Sequence, residues 1–151
     1  MLEINNTTSQ KVNIKKTGLL VEKFLRAYKR SGSLVSLAIV GQARMRYLNK
    51  RYRGMDKTTD VLSFAGEGKY LGEIVININE VGKVSKYLEM LQELKIDPGS
   101  KSKAAALNYI FYFLLVHGLL HLLGHNDEKE TERQVMLRLG KKFLDSAGKM
   151  L

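Results

Sequence analysis

The stretch from Ala104 to Leu123 contains no Lys, Arg, Asp or Glu, and it runs into a segment, H-G-L-L-H-L-L-G-H, that holds all three histidines of the chain, His117, His121 and His125. An uncharged helix of that length is long enough to cross a bilayer. Asn108 and two histidines interrupt it, however, and the remaining sequence reads as a domain able to wrap it. The expectation is therefore a helix that is apolar all round and buried at the centre of the protein, with no membrane span.

The histidine spacing carries the chemistry. His117 and His121 stand about one helical turn apart, so their imidazoles project from one face and can share a metal ion. Gly124 follows, and a glycine there can close the helix in a left-handed conformation and turn the chain back toward the metal. The bland alternative, two core histidines bonded to backbone carbonyls, is weaker for a pair with a glycine and a third donor behind it. Two residues compete for the third position. Asp127 offers an oxygen ligand and gives the spacing H-x3-H-x2-G-x2-D, like one used by some zinc metalloproteases. His125 would lie about two turns beyond His117 on a continuous helix and needs a bend at Gly124 to reach the metal. Asp127 is preferred, with His125 as the alternative.

The chain has no cysteine, which excludes disulfides, thiolate metal sites and cysteine nucleophiles, leaves only nitrogen and oxygen ligands, and suits a reducing cytoplasm. Twenty-five Lys and Arg against 15 acidic residues give a formal charge of +10, which favours a polyanionic partner. The N-terminal residues show no basic end leading into an apolar run, so no secretion signal is expected. Its 151 residues are expected to form a single domain (1–151).

Periodicity predicts strands at Leu2 to Asn6, Leu34 to Val40, Asp60 to Phe64 and Glu73 to Ile78, the last two antiparallel across a Gly-rich connector from Gly66 to Gly72. Helices are expected at Gly18 to Arg30, Gln42 to Arg51, Asn79 or Glu80 to Leu94, Lys103 to Leu123 and Glu128 to Ala147, with a loop at Asp97-Pro98-Gly99-Ser100. The fold class is then α/β, of the α+β kind: one small mixed sheet packed with several helices, the histidine helix central.

A second constellation lies upstream, in A-R-M-R-Y-L-N-K-R-Y-R-G-M-D-K-T-T-D-V-L-S-F. Arg44, Arg46, Lys50, Arg51 and Arg53 interleave with Tyr47 and Tyr52, a pattern that combines phosphate contacts with base stacking. Leu48 and one of the tyrosines are expected to face the core, and several of the charges to form a solvated face. Arg53 is singled out because it precedes Gly54 in an expected loop, where an arginine can bind a phosphate through two parallel hydrogen bonds.

Taken together, R-Y-R-G-M-D-K-T-T-D-V-L-S-F, L-G-E-I-V-I and H-G-L-L-H-L-L-G-H-N-D-E resemble the YbeY family of bacterial endoribonucleases, in order and spacing, over roughly residues 34 to 145. The resemblance implies a fold related to zinc metalloproteases and one zinc ion per chain. It implies a single-strand-specific, metal-dependent endoribonuclease of the cytoplasm, acting in ribosomal RNA maturation and small-subunit quality control. Its partners would be ribosomal RNA and the small ribosomal subunit, with no DNA. The family's Y-R-G arginine corresponds to Arg53, which joins His117 and His121 as a catalytic residue. The chain departs from the family in three places: Asp127 stands where a third histidine is usual, Thr58 where proline is common, and Glu73 where aspartate is common.

Three chemistries stay open on the residues alone. A zinc peptidase needs a general base, normally glutamate directly after the first histidine, and Gly118 stands there. A nuclease fits the basic balance and Arg53, with its base supplied by metal-activated water, by the RNA 2′-hydroxyl or by Glu128. An RNA-binding module with a purely structural metal is the third.

Overall fold

The computed structural model describes residues 1–95 and 102–148. Its single sheet has four strands, β1 (Leu2–Asn6), β2 (Leu34–Val40), β3 (Val61–Ala65) and β4 (Tyr70–Asn77), in the order β1-β2-β4-β3. The sheet is mixed, because β1 and β4 both run parallel to β2 while β3 returns antiparallel to β4. Strand β2 alternates partly buried and buried residues over most of its length, the period that places successive side chains on opposite faces.

The helices are α1 (Ile14–Ala27), α2 (Gln42–Arg53), α3 (Ile78–Val81), α4 (Leu88–Glu93), α5 (Lys103–Leu122) and α6 (Glu130–Ala147), with a 3-10 turn at Val84–Tyr87. Helix α2 covers one face of the sheet through Met45 and a small cluster of Val40, Leu62 and Val75, with Leu48 and Phe64 packed against it. The larger core lies on the other face, where Leu20 and Phe24 of α1, Leu115 and Leu119 of α5 and Phe143 of α6 meet Leu37, Ile39, Ile74 and Ile76 of the sheet. In α5 buried residues run unbroken from Ile110 to Val116, so no side of the helix faces solvent there. That is a central core helix: of its most apolar 18 residues, 67% are buried inside the fold.

Several boundaries depart from the sequence reading: β3, the start of α6 and the end of α1 shift by one to three residues, and four further departures each have a local reason. Helix α1 begins at Ile14, not Gly18, because the Asn13 side chain accepts a hydrogen bond from Lys16 N at 2.9 Å and caps the helix; exposed Ile14 had no part in the apolar pattern. Helix α2 runs on to Arg53, which places that arginine on the last helical turn and not in a loop; Gly54, at φ 70, closes the helix behind it. Strand β4 starts at Tyr70, shortening the expected Gly66 to Gly72 connector to a tight hairpin closed by Gly66 N to Leu71 O at 3.0 Å. The helix expected from Asn79 or Glu80 to Leu94 is broken into α3, the 3-10 turn and α4. Its first turn ends at Gly82, and Lys83 and Lys86 fold back onto the buried Glu80 carboxylate at 2.7 and 2.8 Å. The expected loop at Asp97-Pro98-Gly99-Ser100 lies outside the described residues.

Candidate metal centre and its cleft

Helix α5 delivers His117 and His121 to the edge of the sheet, and its end is shaped to bring a third group back to them. Gly124 takes φ +99, its N–H bonds to His121 O at 2.9 Å, and His125 N–H reaches Leu120 O at 3.1 Å. This pair of bonds is a Schellman closure, which reverses the chain and needs a residue without a Cβ penalty at the left-handed position. The returning segment places Asp127 Oδ2 3.1 Å from His117 Nε2 and 3.3 Å from His121 Nε2, while the two Nε2 atoms are 3.2 Å apart.

Those three distances test whether the group suits a metal. A tetrahedral zinc with bonds near 2.0–2.1 Å sets its ligand atoms about 3.3 Å from one another, and the observed triangle has that size. The protonation pattern agrees. His121 Nδ1 lies 2.9 Å from the carbonyl oxygen of His125, which can only accept, so Nδ1 carries the proton and Nε2 presents its lone pair to the centre. When the histidines are protonated, the hydrogen bond from His117 and the charges of both rings hold the Asp127 carboxyl down at about 2 against desolvation, and a cation in their place would act on it in the same direction. Asp127 is thus an anion at neutral pH. His117 packs its ring against Phe113, with centroids 6.4 Å apart, and its Nδ1 is buried with no hydrogen-bond partner among the described residues.

His125, the alternative third ligand, enters the site through its backbone carbonyl; its ring is not part of the converging group. Gly118 has a steric cause that the sequence did not reveal. A Cβ there would sit 2.8 Å from Ile74 Cγ2, so α5 lies so close to β4 that any side chain would force the helix or Ile74 to shift. The position where a zinc peptidase carries its glutamate therefore faces the sheet and is closed.

The triad opens into a cleft of about 860 Å³ lined by β3, the end of α5, the returning loop and the start of α6. Arg53 stands on its wall. Its Nη2 donates to Ser63 O at 2.7 Å and its guanidinium lies over the Phe64 ring at 5.4 Å, leaving most of its five N–H donors unspent. Glu128, Asp60 and Tyr87 also line the cleft. Ser63 was missed by the sequence reading; its hydroxyl donates to Gly118 O at 3.3 Å and its carbonyl aims Arg53, so it ties strand, metal helix and arginine together. The D-V-L-S-F block contained that signal, but nothing in it separated Ser63 from its neighbours.

Of the other basic residues, Arg46 and Lys50 pair with Asp56 at 2.9 and 3.6 Å, whereas Arg44 and Arg51 lie over Tyr47 and Tyr52. Leu48 packs inward as expected, but neither tyrosine does: Tyr47 is 51% exposed and Tyr52 59%. Met45 and Asn49 take the buried face of α2 instead.

A helix-delivered pair of histidines with a returning carboxylate, at the mouth of a cleft carrying an arginine, is the arrangement of a metal-dependent hydrolase. The family model described as Endoribonuclease YbeY matches residues 3–148. The chain belongs to that family. An Endoribonuclease YbeY from Geobacillus sp. (strain WCH70) is 33% identical over 97% of this chain and 92% of its own length. Another from Geobacillus thermodenitrificans is 40% identical over 78% of this chain and 74% of its own. A solution structure of a Thermotoga maritima protein shares the fold, with a TM-score of 0.56 and 22% identity over 96% of this chain and 87% of that one.

Proposed function

We propose that this endoribonuclease holds one zinc ion through His117, His121 and Asp127 and cuts single-stranded segments of ribosomal RNA during small-subunit maturation in the cytoplasm. The observation that carries the reading is the triangle of two imidazole nitrogens and a carboxylate oxygen, sides 3.1–3.3 Å, at the mouth of the cleft that Arg53 lines. A divalent ion held by these three groups would polarise a phosphate oxygen and acidify water.

The protein's own groups do the rest. The His125 carbonyl keeps His121 in the tautomer that points its lone pair inward, and Ser63 holds Arg53 where its free N–H donors meet charge developing on a scissile phosphate. Asp60 and Glu128 both line the cleft, and Glu128, next to Asp127 in the chain, is the one proposed to take the proton when water attacks. The dispersed lysines and arginines of a +10 chain supply ground-state attraction to RNA. Proteolysis is disfavoured because the closed position at Gly118 leaves no room for the peptidase base.

The test incubates metal-loaded protein with structured ribosomal RNA and with casein, each with and without chelator. RNA cleavage abolished by chelation supports the reading, casein cleavage selects a peptidase, and binding without cleavage a structural metal. In single turnover, Arg53→Ala is expected to keep folding and metal while cleavage falls roughly a hundredfold, the scale for removing one transition-state charge stabiliser. Cleavage at the wild-type rate would remove Arg53 from the site.

A further inference from the structure

Helix α2 carries no acidic residue in its sequence QARMRYLNKRYR, yet its cations are not equivalent. Arg46 and Lys50 are engaged by Asp56. Arg44, Arg51 and Arg53 have no carboxylate partner among the described residues, and each guanidinium lies over a ring: Tyr47 at 5.0 Å, Tyr52 at 5.7 Å and Phe64 at 5.4 Å. A guanidinium parked on a ring face is held in place with its N–H edge free for a phosphate.

The rings form a path. Phe64 lines the cleft, and Tyr52 meets it edge to face with centroids 5.4 Å apart. Tyr52 is 59% exposed, so the Phe64–Tyr52 pair on the α2 side of β3 presents an exposed ring between the rim of the cleft and the end of α2. Beyond it Arg51, Tyr47 and Arg44 follow at helical spacings of four and three residues and so share one stripe along the helix. Exposed rings alternating with guanidinia suit a chain of unpaired bases joined by phosphates: each base offers a flat face for stacking, which a duplex hides.

We infer that Tyr52, backed by Phe64, is a base-stacking platform for single-stranded RNA leaving the cleft, with Arg51 and Arg44 taking the phosphates that follow. The identity of the strand rests on the endoribonuclease reading, but binding to the platform is measured apart from cleavage.

The experiment titrates metal-loaded protein into a fluorescently labelled 2′-O-methyl oligoribonucleotide whose length is checked on a gel after each titration, and follows anisotropy, with cleavage of the unmodified strand measured in parallel. Tyr52→Ala is expected to weaken binding about tenfold, within the range for loss of one base–aromatic stack, while Tyr52→Phe binds as wild type because only the ring is needed. Arg51→Ala lowers the salt slope of binding by about one, and Arg46→Ala lowers it less because Asp56 already engages that guanidinium. The chain has no tryptophan, so Tyr52→Trp introduces a single indole whose fluorescence is quenched as RNA saturates.

Unchanged binding by Tyr52→Ala, equal losses in Tyr52→Ala and Tyr52→Phe, or no binding by the wild type would each overturn the inference. RNA that is bound through Tyr52 but never cut rejects the nuclease reading and leaves the platform standing. RNA that is cut, with Tyr52→Ala binding it like the wild type, does the reverse.

Discussion

Replacing Gly118 by alanine should destabilise the protein, although glycine is the poorer helix former. In the middle of a helix Gly→Ala ordinarily gains about 1 kcal/mol. Here the added Cβ would stand 2.8, 3.1 and 3.2 Å from Cγ2, Cγ1 and Cδ1 of Ile74, a fully buried residue on the internal strand β4. The nearest of these atoms is a branch methyl fixed by χ1, which cannot swing away as the end of a flexible side chain could. The helix must lift from the sheet instead, at an overpacking cost of about 1–3 kcal/mol, so the net loss is about 0–2 kcal/mol. The sign should reverse once the obstacle is gone. Ile74→Ala alone costs about 2–5 kcal/mol, and adding Gly118→Ala to it should recover about 1 kcal/mol, a coupling of about 1–3 kcal/mol across the pair. Urea unfolding of metal-free protein, followed by circular dichroism for the wild type, both single variants and the double variant, measures all four corners. If Gly118→Ala raises the wild-type midpoint, the contact is not tight, and the steric reason given for the absent peptidase glutamate fails with it.

Three further outcomes follow from the same geometry. His121→Ala and Asp127→Ala should each emerge from dialysis without a bound ion, while His125→Ala keeps it because residue 125 contributes only its carbonyl; metal analysis showing His125→Ala empty would shift the third ligand to that ring. Gly124→Ala should cost about 1–2 kcal/mol in urea unfolding from its left-handed backbone alone, since nothing lies within 4 Å of the added Cβ, and should weaken metal binding as the Asp127 loop shifts. Glu80 is held at about 2, first by the hydrogen bond from Lys83 and then by that from Lys86, so its folded value lies below its unfolded one. Its contribution is therefore complete above the ordinary carboxylate range and fades as pH falls toward 2; Glu80→Gln should lower the urea midpoint at pH 7 and make little difference near pH 2.

What the sequence disclosed, and what it hid, divides by the distance over which each feature is determined. Strands β1 and β2 were read to the residue because alternation is a local property of the strand itself. Helix α5 was read to within one residue, and Asn108 and the two histidines in its uncharged run favoured the core over a bilayer. The return of the chain at Gly124 was also local, set by one residue type at one position. The break between α3 and α4 was not, because it depends on Glu80 being buried and satisfied by Gln42 at 2.8 Å from another helix, together with Lys83 and Lys86. Pattern reading sees a charged residue at position 80 and continues the helix. Only the tertiary partner explains why the carboxylate is inside and the lysines curl over it.

The same division runs through the site. The two histidines announce themselves by spacing, whereas the closed position between them is made by Ile74, a strand residue far away in the sequence. The basic segment of α2 likewise announced its composition but not its assignments. Asp56 decides which cations are engaged, and Phe64, across a turn on β3, decides which aromatic surface meets the cleft. The close approach of α5 to β4 is thus more than packing. It closes the position that would make the scaffold a peptidase, and it places Gly118 O within reach of Ser63, whose own carbonyl aims Arg53. On the proposed reading, the small residue that leaves no room for a peptidase base also helps hold Arg53 on the cleft wall.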